Sequence, residues 1–349
     1  MLDLHDATIL ACAAQGGALA SVATERTGLS RVAVSRRIKK LADSGFLTRL
    51  GSGTRQTYQL GHQRFWIGVF SREEVQSQGG EMMVWERHLV PLLSDLEPNV
   101  KSLSYTAMTE MINNVLDHSQ AERMVCGAQV SDGQLALLVA DDGVGIFERI
   151  AQAAQLFDPR LAVLELAKGK FTTAPQGHSG MGVFVSSRMM DGFAIESKGL
   201  RFDPHEIHRP LPAFDWIDAQ ALLRPKQAQT VVRMTLSVDS TRTPNQVYDK
   251  YFEPHDIGAE AFHTTEIPVR LARLSSELVS RSQAKWALER ATQFKTVILD
   301  YAGVNDVGQS FVDEIYRVFA LAHPQIRLRS VNMSKPVELG IQRFGGGSN

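Results

Sequence analysis

The chain has 349 residues, of which 44% are hydrophobic and 21% are charged, and its formal net charge is −1 at pH 7. These values are ordinary for globular proteins, and the length predicts two or three domains, each with its own core. No apolar run has the length of a membrane span, the alanine-rich start lacks the basic segment of a signal peptide, and two cysteines make no disulfide framework. We therefore expect a cytoplasmic protein that does not enter a membrane.

The first 62 residues predict three helices followed by a hairpin. The first helix covers Asp6 to Ala14, and the second begins at Ser21 as its N-cap and ends near Gly28. Ser30 is the N-cap of the third helix, and Gly45 is placed to end it. The buried stripe of that helix consists of three residues at helical spacing: Val34, Ile38 and Leu41.

Two short strands, 46–50 and 55–60, follow around a glycine-containing tip. The whole segment is similar to a winged helix-turn-helix of the bacterial transcription-regulator type. Residues 1–62 hold eight Lys/Arg and four Asp/Glu, a local excess that suits a partner rich in phosphate. The resemblance implies that the third helix and the hairpin contact double-stranded DNA, and a symmetric operator would follow if the protein forms a homodimer.

The candidate DNA-binding residues lie on the third helix, away from its buried stripe, and on the hairpin: Ser35, Arg36, Lys39, Lys40 and Arg55. Arg31 and Arg37 are expected on the shoulders of this surface. The alternative is a protein-interaction module whose basic residues are only solvated.

Next along the chain, residues 99–118 predict a helix with one apolar and one polar face. Glu110, Asn114 and Asp117 fall at i, i+4 and i+7, which puts them on one stripe opposite the apolar residues. Asn offers a neutral oxygen to Mg²⁺, and a Glu one turn earlier can orient a water molecule. A solvated helix face is the alternative explanation of this stripe.

A strand-length apolar run, Leu135 to Ala140, ends at Asp141 and continues as Asp-x-Gly-x-Gly through Gly143 and Gly145. At the end of a strand the Asp141 carboxylate can accept a hydrogen bond from an exocyclic amine such as that of adenine. The glycines allow a sharp turn with no Cβ against a ligand.

A third block, Gly177 to Gly182, contains Gly180 and precedes a helix. Glycines at the start of a helix expose backbone N–H groups toward an anion such as phosphate. The segment between the second and third blocks, 147–176, reads as a lid with short helices, and its lysines either reach phosphate or are solvated.

These three blocks resemble the N, G1 and G2 boxes of the Bergerat-fold ATPases, which include gyrase, heat-shock chaperone ATPases, MutL and the histidine kinases. The resemblance covers 80–240 and implies binding of ATP with Mg²⁺. It matches Glu110 to the general base, Asn114 to the Mg²⁺ ligand, and Asp141 to the adenine-reading carboxylate. It matches Thr230, which opens the strand 230–236, to the threonine near the end of the domain. The matched glycines are Gly143, Gly145, Gly177, Gly180 and Gly182. The chain departs from the family in an extra polar excursion at 199–228 and in lacking a clear F box.

The last part of the chain alternates strand and helix, which predicts a small α/β domain. The run from Val297 to Ile315 resembles an uncharacterised STAS-like family related to anti-sigma-factor antagonists. Those antagonists carry a phosphorylatable Ser after this strand, but the register is not clearly kept here, and Ser310 is interpreted as a helix N-cap.

The predicted fold class is therefore α/β multidomain, with a winged helix-turn-helix, a Bergerat α/β sandwich and a STAS-like α/β domain. The predicted boundaries are 1–62 winged helix, 63–80 linker, 81–240 ATP-binding domain, 241–262 linker and 263–349 STAS-like domain.

Two functional hypotheses remain open at this point. The first is a nucleotide-controlled DNA-binding regulator with weak ATPase activity. The second is a serine protein kinase, like the anti-sigma-factor kinases, that acts on a STAS-type partner or on its own C-terminal domain. A histidine kinase lacks room in 63–98 for its acceptor hairpin, and a MutL- or gyrase-like machine lacks a following transducer domain.

Overall fold

The computed structural model describes residues 2–15, 18–51, 56–168, 182–204, 217–251, 266–288 and 291–344. The chain divides into two compact units. The first unit comprises 1–145, 186–199 and 203–243, and the second comprises 146–185, 200–202 and 244–349. Both units mix helices with strands, which confirms the α/β multidomain class.

Along the described chain the strands are β1 (Leu47–Leu50), β2 (Thr57–Leu60), β3 (Arg64–Ser71), β4 (Arg123–Ser131), β5 (Gln134–Asp141), β6 (Gly192–Ser197), β7 (Leu200–Phe202), β8 (Thr230–Ser237), β9 (Glu266–Arg270), β10 (Glu277–Leu278), β11 (Thr296–Asp300), β12 (Asp306–Val307) and β13 (Arg327–Val331).

The α-helices of the same residues are α1 (Leu4–Gln15), α2 (Leu19–Thr27), α3 (Arg31–Asp43), α4 (Arg72–Ser77), α5 (Glu81–Val84), α6 (Val90–Leu92), α7 (Pro98–Asn114), α8 (Ile146–Ala153), α9 (Arg160–Lys168), α10 (Gly182–Met189), α11 (Ala219–Leu222), α12 (Pro244–Tyr251), α13 (Arg281–Leu288), α14 (Gln309–Asp313), α15 (Ala320–Ala322) and α16 (Lys335–Phe344). π-helical turns at Trp85–Leu89, Val115–Ser119 and Glu314–Phe319 follow α5, α7 and α14. None of the helices in the described ranges is long and apolar enough to cross a membrane.

The first unit contributes five strands of an antiparallel sheet, in the order β3-β4-β5-β8-β6. In its centre β5 pairs with β8 so that Asp141 lies opposite Thr230 and Ala140 lies opposite Val231. Because side chains alternate between the faces of a strand, Asp141 and Thr230 project from one face of the sheet and Ala140 and Val231 from the other. Each face has its own covering layer.

On the first face α7 packs against β5 and β8. The apolar stripe predicted for this helix is buried as expected, and its members are Leu103, Met108, Ile112, Val115 and Leu116.

The opposite face of the sheet packs against the N-terminal helices, and together they form one continuous cluster of buried side chains, here called the shared core. The N-terminal segment contributes Ala7, Ile9, Leu10, Cys12, Ala13, Leu19, Ala23, Val34, Ile38, Leu41, Phe46 and Leu47. The sheet contributes Phe65, Ile67, Val125, Leu138, Ala140 and Val231, and the segment before β8 contributes Ile217, Ala219 and Leu223. Helices α1 to α3 are therefore held against the sheet by apolar packing, and not only by the covalent connection of the chain.

This arrangement corrects the predicted linker at 63–80. Residues 64–71 form β3, which pairs with β4 along its whole length from Arg64↔Val130 to Ser71↔Arg123. Residues 72–77 then form α4, capped by the Ser71 hydroxyl, which accepts from the Glu74 N–H at 3.0 Å. The second predicted linker, 241–262, likewise contains α12, and residues 252–262 lie outside the described ranges.

The N-terminal elements occur in the predicted order, with one wrong cap. Ser30 caps α3, since its Oγ accepts from the Ala33 N–H at 3.3 Å. Gly45 has φ +78° and follows the end of α3, where the Phe46 N–H donates to the Leu41 carbonyl at 2.9 Å. Ser21, in contrast, is not an N-cap: α2 begins earlier, at Leu19, so Ser21 lies in its first turn. Most of the hairpin tip, 52–55, lies outside the described residues.

The second unit contains a three-stranded parallel sheet, β13-β11-β9, and a small parallel pair, β10 with β12. Its core includes Val297, Leu299 and Tyr301 together with Phe311 from α14. Ser310 is not the N-cap that the sequence predicted. The N-cap of α14 is Gly308, and Ser310 is an exposed residue of its first turn.

One ion-pair cluster of the N-terminal helices gives a stability prediction. Arg37 donates to Asp3 Oδ2 at 2.8 Å and to Asp6 Oδ1 at 2.7 Å, and Asp6 is only 1% exposed. Arg37→Ala leaves a buried carboxylate without its cation, and we expect it to lower the free energy of unfolding by about 1–3 kcal/mol. The matched control Arg36→Ala removes an exposed arginine of the same helix and should change it by less than about 0.5 kcal/mol. Urea unfolding monitored by circular dichroism measures both, and equal effects of the two variants would contradict the assignment.

Candidate functional site

The predicted polar stripe of α7 lies where the sequence placed it. Glu110 and Asn114 are partly exposed on the helix, whereas Ala107, Met108, Met111 and Ile112 are buried. Asp117 is exposed in the π-helical turn that continues α7. The stripe is therefore available to solvent or a ligand on a helix whose other side is fixed against the sheet.

The end of this helix is tied directly to the Asp-x-Gly-x-Gly turn. The carbonyl of Ser119, the last residue of the π-helical turn, accepts from the Val144 N–H at 2.8 Å. The Ser119 side chain is also engaged, since its Oγ donates to the Val115 carbonyl at 2.7 Å and accepts from the Ala121 N–H at 3.0 Å. These bonds hold the turn in a defined position relative to α7.

Asp141 is the last residue of β5 and is only 3% exposed. Its Oδ1 accepts from the Gly143 N–H at 2.9 Å, and the Thr230 hydroxyl donates to the same carboxyl group. Burial raises the pKa of Asp141 from its ordinary value near 3.8 to about 6, with the charge of Asp142 adding to the shift. The bonds from Gly143 and Thr230 stabilise the carboxylate and limit the increase in pKa. Asp141 and Thr230, which the sequence analysis named separately, are thus brought together across β5 and β8.

The two glycines of the turn are required by their surroundings. A Cβ at Gly143 would lie 2.2 Å from the Ser119 carbonyl oxygen, which is backbone and cannot move away cheaply. Gly145 has φ +89°, and a Cβ there would lie 2.8 Å from Ser197 Oγ. Any side chain at Gly143 would therefore break the bond between the turn and α7.

Three supporting residues escaped the sequence analysis. Ser197 Oγ donates to the Gln229 carbonyl at 2.6 Å, beside Thr230, and Ser119 anchors the turn as described above. Asp142 Oδ1 accepts from the N–H groups of Glu122 and Arg123 at 2.9 and 3.0 Å. The other oxygen, Oδ2, is buried with no hydrogen-bond partner among the described residues. In the sequence, only the position of Asp142 next to Asp141 points to this supporting residue. Its hydrogen bonds to Glu122 and Arg123 join segments that are distant in the chain.

The third predicted block is described in part. Gly182 is the first residue of α10, so a glycine does open this helix as predicted. Gly177 and Gly180 lie outside the described residues.

The segment predicted as a lid is described up to residue 168, within the second unit. It contains α8 and α9, and α9 packs against β9. Leu164 of α9 is 1% exposed and belongs to the core of the second unit. Phe157, which precedes α9, contacts Trp286 of α13 with ring centroids 4.9 Å apart. This segment is therefore held by the same core that contains β9, β11 and β13.

The predicted DNA-binding residues of α3 share one exposed face. Arg31, Val32, Ser35, Arg36, Lys39 and Lys40 are all exposed, at the spacing of a single helix face. Arg37 is not on that face, because it turns toward Asp3 and Asp6. Arg55 lies outside the described residues.

Comparison with known families supports the middle and the end of the chain. A family model described as a histidine kinase-like ATPase domain matches residues 99–201. Another, described as a STAS-like domain of unknown function, matches residues 287–338. The chain therefore contains a histidine kinase-like ATPase domain followed by a STAS-like domain. No curated protein gives a significant match to the chain, and neither family model reaches residues 1–98.

The residues present fit the adenine end of a nucleotide. A buried carboxylate that accepts from a threonine and a glycine keeps capacity for a further donor. In the part of the chain that is described, no group of three or more His, Cys, Asp or Glu residues could hold a metal by itself. Mg²⁺ usually takes few protein ligands and several phosphate and water oxygens, so a single ligand such as Asn114 agrees with that chemistry.

The raised pKa of Asp141 gives a test of its role. An ionised carboxylate is the stronger acceptor for an exocyclic amine, so nucleotide affinity should increase as the pH rises toward and through about 6 and then level off. Free energy of unfolding should change in the opposite direction, because the folded state holds this proton more tightly and loses stability as the group ionises between about pH 4 and pH 6.

The ratio of wild-type affinity to Asp141→Asn affinity isolates this group, since titration of the phosphates affects both proteins equally. We expect the ratio to fall by a factor approaching tenfold per pH unit below about 6. Calorimetry with ATP and Mg²⁺ from pH 5 to pH 8 measures it. A ratio that is independent of pH, or an unchanged affinity in Asp141→Ala, would contradict the assignment.

Proposed function

We propose that the protein is an ATP- and Mg²⁺-binding, DNA-binding regulator with weak ATPase activity, whose nucleotide state controls its N-terminal helices and its STAS-like domain. The observation that carries the proposal is the shared core. It joins the N-terminal helices to the two strands that present Asp141 and Thr230.

The connection between nucleotide and N-terminal helices runs through adjacent residues. Ala140 directly precedes Asp141, and Val231 directly follows Thr230, and both are buried in the shared core with Ile38 and Leu41 of α3. A shift of β5 or β8 on one face must be accommodated by the packing on the other, because close-packed interiors deform little. Nucleotide binding that moves or rigidifies these strands therefore changes the free energy of the arrangement of α3.

The STAS-like domain has a connection of its own. Leu164 places part of the lid segment in the core of the second unit, and the Phe157–Trp286 contact adds a second point of attachment. In nucleotide-binding proteins a lid sets access and release. A lid held by the STAS-like domain allows whatever binds that domain to alter how long nucleotide stays bound.

Within the nucleotide site we assign each residue a role from the chemistry of its side chain. Glu110 acts as general base by orienting and deprotonating a water molecule, and Asn114 supplies one oxygen to Mg²⁺. Asp141 and Thr230 read adenine, and we assign Gly177, Gly180 and Gly182 to phosphate, because glycines at the start of a helix expose backbone N–H groups to an anion. Mg²⁺ held by Asn114 would neutralise part of the phosphate charge.

DNA binding is proposed from the exposed face of α3. Arg36 and Lys39 are exposed on it together with Ser35 and Lys40. Arg55, which lies outside the described residues, is included on its position in the sequence alone. Long cationic side chains contact phosphates, and short ones approach base edges in the major groove. A homodimer would present two such helices to a symmetric site.

The kinase alternative retains one favourable observation. Ser310 is exposed in the first turn of α14, so its hydroxyl is accessible to a phosphoryl donor. Incubation with γ-labelled ATP separates the classes: free phosphate favours the ATPase. Label on the protein that disappears in Ser310→Ala favours the kinase.

The central test measures coupling in both directions. If ATP changes the affinity for duplex DNA by some factor, DNA must change the affinity for ATP by the same factor, and such couplings are typically about 5- to 150-fold. Anisotropy titrations of a duplex from the gene's own upstream region, with and without ATP and Mg²⁺, give one side of the cycle, and calorimetry gives the other. Asp141→Ala should bind DNA but lose its response to ATP.

A factor of one in both directions would refute nucleotide control while leaving DNA binding intact. Absence of duplex binding at low salt, with or without ATP, would instead assign the N-terminal helices to protein interaction.

The lid attachment predicts faster nucleotide release when it is weakened. Phe157→Ala removes the ring contact with Trp286, and we expect the dissociation rate of a fluorescent ATP analogue to increase several-fold in stopped-flow measurements. Leu321→Ala is the matched control, because Leu321 is 74% exposed and Phe157 is 71% exposed. Its release rate should equal that of the wild type. Equal rates for all three proteins would show that this contact does not restrain the lid.

A further inference from the structure

Val32 is the most exposed large hydrophobic side chain among the described residues, with 81% of its surface accessible. Single exposed apolar residues are common on protein surfaces, so exposure alone assigns no role. The position of Val32 is more informative. It is the second residue of α3, in the turn that the Ser30 cap fixes through the Ala33 N–H.

The neighbours of Val32 on this face are polar or cationic. Arg31 precedes it, and Ser35 and Arg36 lie one turn further along the same exposed face. The face thus presents one short, branched apolar group among long cations and a hydroxyl. A β-branched side chain has few rotamers in a helix, so its two methyl groups hold a fixed position at little entropic cost.

We propose that Val32 reads the C5-methyl group of a thymine in the major groove, and this inference rests on the proposed DNA binding. A recognition helix directs its N-terminal residues at base edges. The thymine methyl is the one apolar group that the major groove displays, and small apolar side chains contact it. The cations on the same face, Arg36 and Lys39, reach further than valine and fit the phosphates on either side. The positive charge of this face is therefore complementary to the phosphates, and the apolar Val32 is complementary to the thymine methyl.

The test compares thymine with uracil, which lacks only the methyl group. Duplexes that the full-length protein selects from a random-sequence pool are resynthesised with uracil in place of each thymine in turn. For the wild type we expect one position, or two related by symmetry, where the substitution weakens binding about fourfold, corresponding to about 0.8 kcal/mol for one buried methyl. In Val32→Ala the thymine-to-uracil ratio at that position should fall toward one.

Two controls keep the result specific. Val279→Ala removes the same groups from an exposed valine, 54% accessible, in the second unit of the chain, and should keep the wild-type ratio. Val32→Thr retains one methyl and should keep a measurable part of the ratio. Thermal unfolding of Val32→Ala should match that of the wild type, because the side chain is exposed.

The outcomes separate this inference from the function it rests on. A wild type that binds duplexes but discriminates against uracil at no position overturns the reading of thymine by Val32 and leaves DNA binding standing. An unchanged ratio in Val32→Ala does the same. Failure to select any duplex overturns DNA binding and this inference together.

Discussion

The alternation of side chains along β5 and β8 is the constraint on which the rest of the molecule depends. A strand has two faces, and in this sheet both are used: Asp141 and Thr230 lie on the face that α7 covers, and Ala140 and Val231 lie on the face that α1 to α3 cover. A slip of one residue in the register of β5 would exchange these sets and bury a carboxylate in an apolar core. The apolar packing of the N-terminal helices therefore helps to fix the position of the polar site.

Burial of Asp141 makes its ionised form less stable, and the hydrogen bonds from Gly143 and Thr230 offset only part of this effect. The carboxyl group is almost fully removed from water, and its pKa increases to about 6 even though Gly143 and Thr230 both donate to it. A group held in this state is poised to gain from a further donor, because a ligand amine would supply the stabilisation that water no longer gives. Asp142 offers another buried acceptor, because its Oδ2 has no hydrogen-bond partner in the described part of the chain.

Local patterns in the sequence predicted much of this structure, and contacts between distant segments account for what they missed. The caps at Ser30 and Gly45, the apolar stripe of α7 and the position of Asp141 at the end of β5 follow from spacing within a few residues. The strand at 64–71 was missed, because it is an edge strand whose pairing with β4 lies more than 50 residues away in the chain. Ser119 and Ser197 act through contacts that the fold alone brings together. Arg37 looks like Arg36 in sequence, and only the approach of Asp3 and Asp6 on α1 distinguishes them.

The shared core also limits how nucleotide could act on the N-terminal helices. A ligand shifts an equilibrium only by its differential affinity for the two states, and for most allosteric proteins this amounts to about 1–3 kcal/mol. Moving α1 to α3 off the sheet would expose Ile9, Leu41, Phe65 and Leu138 at roughly 1.5–3 kcal/mol for each side chain, which exceeds that range several-fold. Undocking of the helices is therefore too costly for ATP to drive. The proposed coupling would then consist of a small change in packing that alters the tilt of α3, or of a change in the rigidity of the sheet, with the shared core intact in both states.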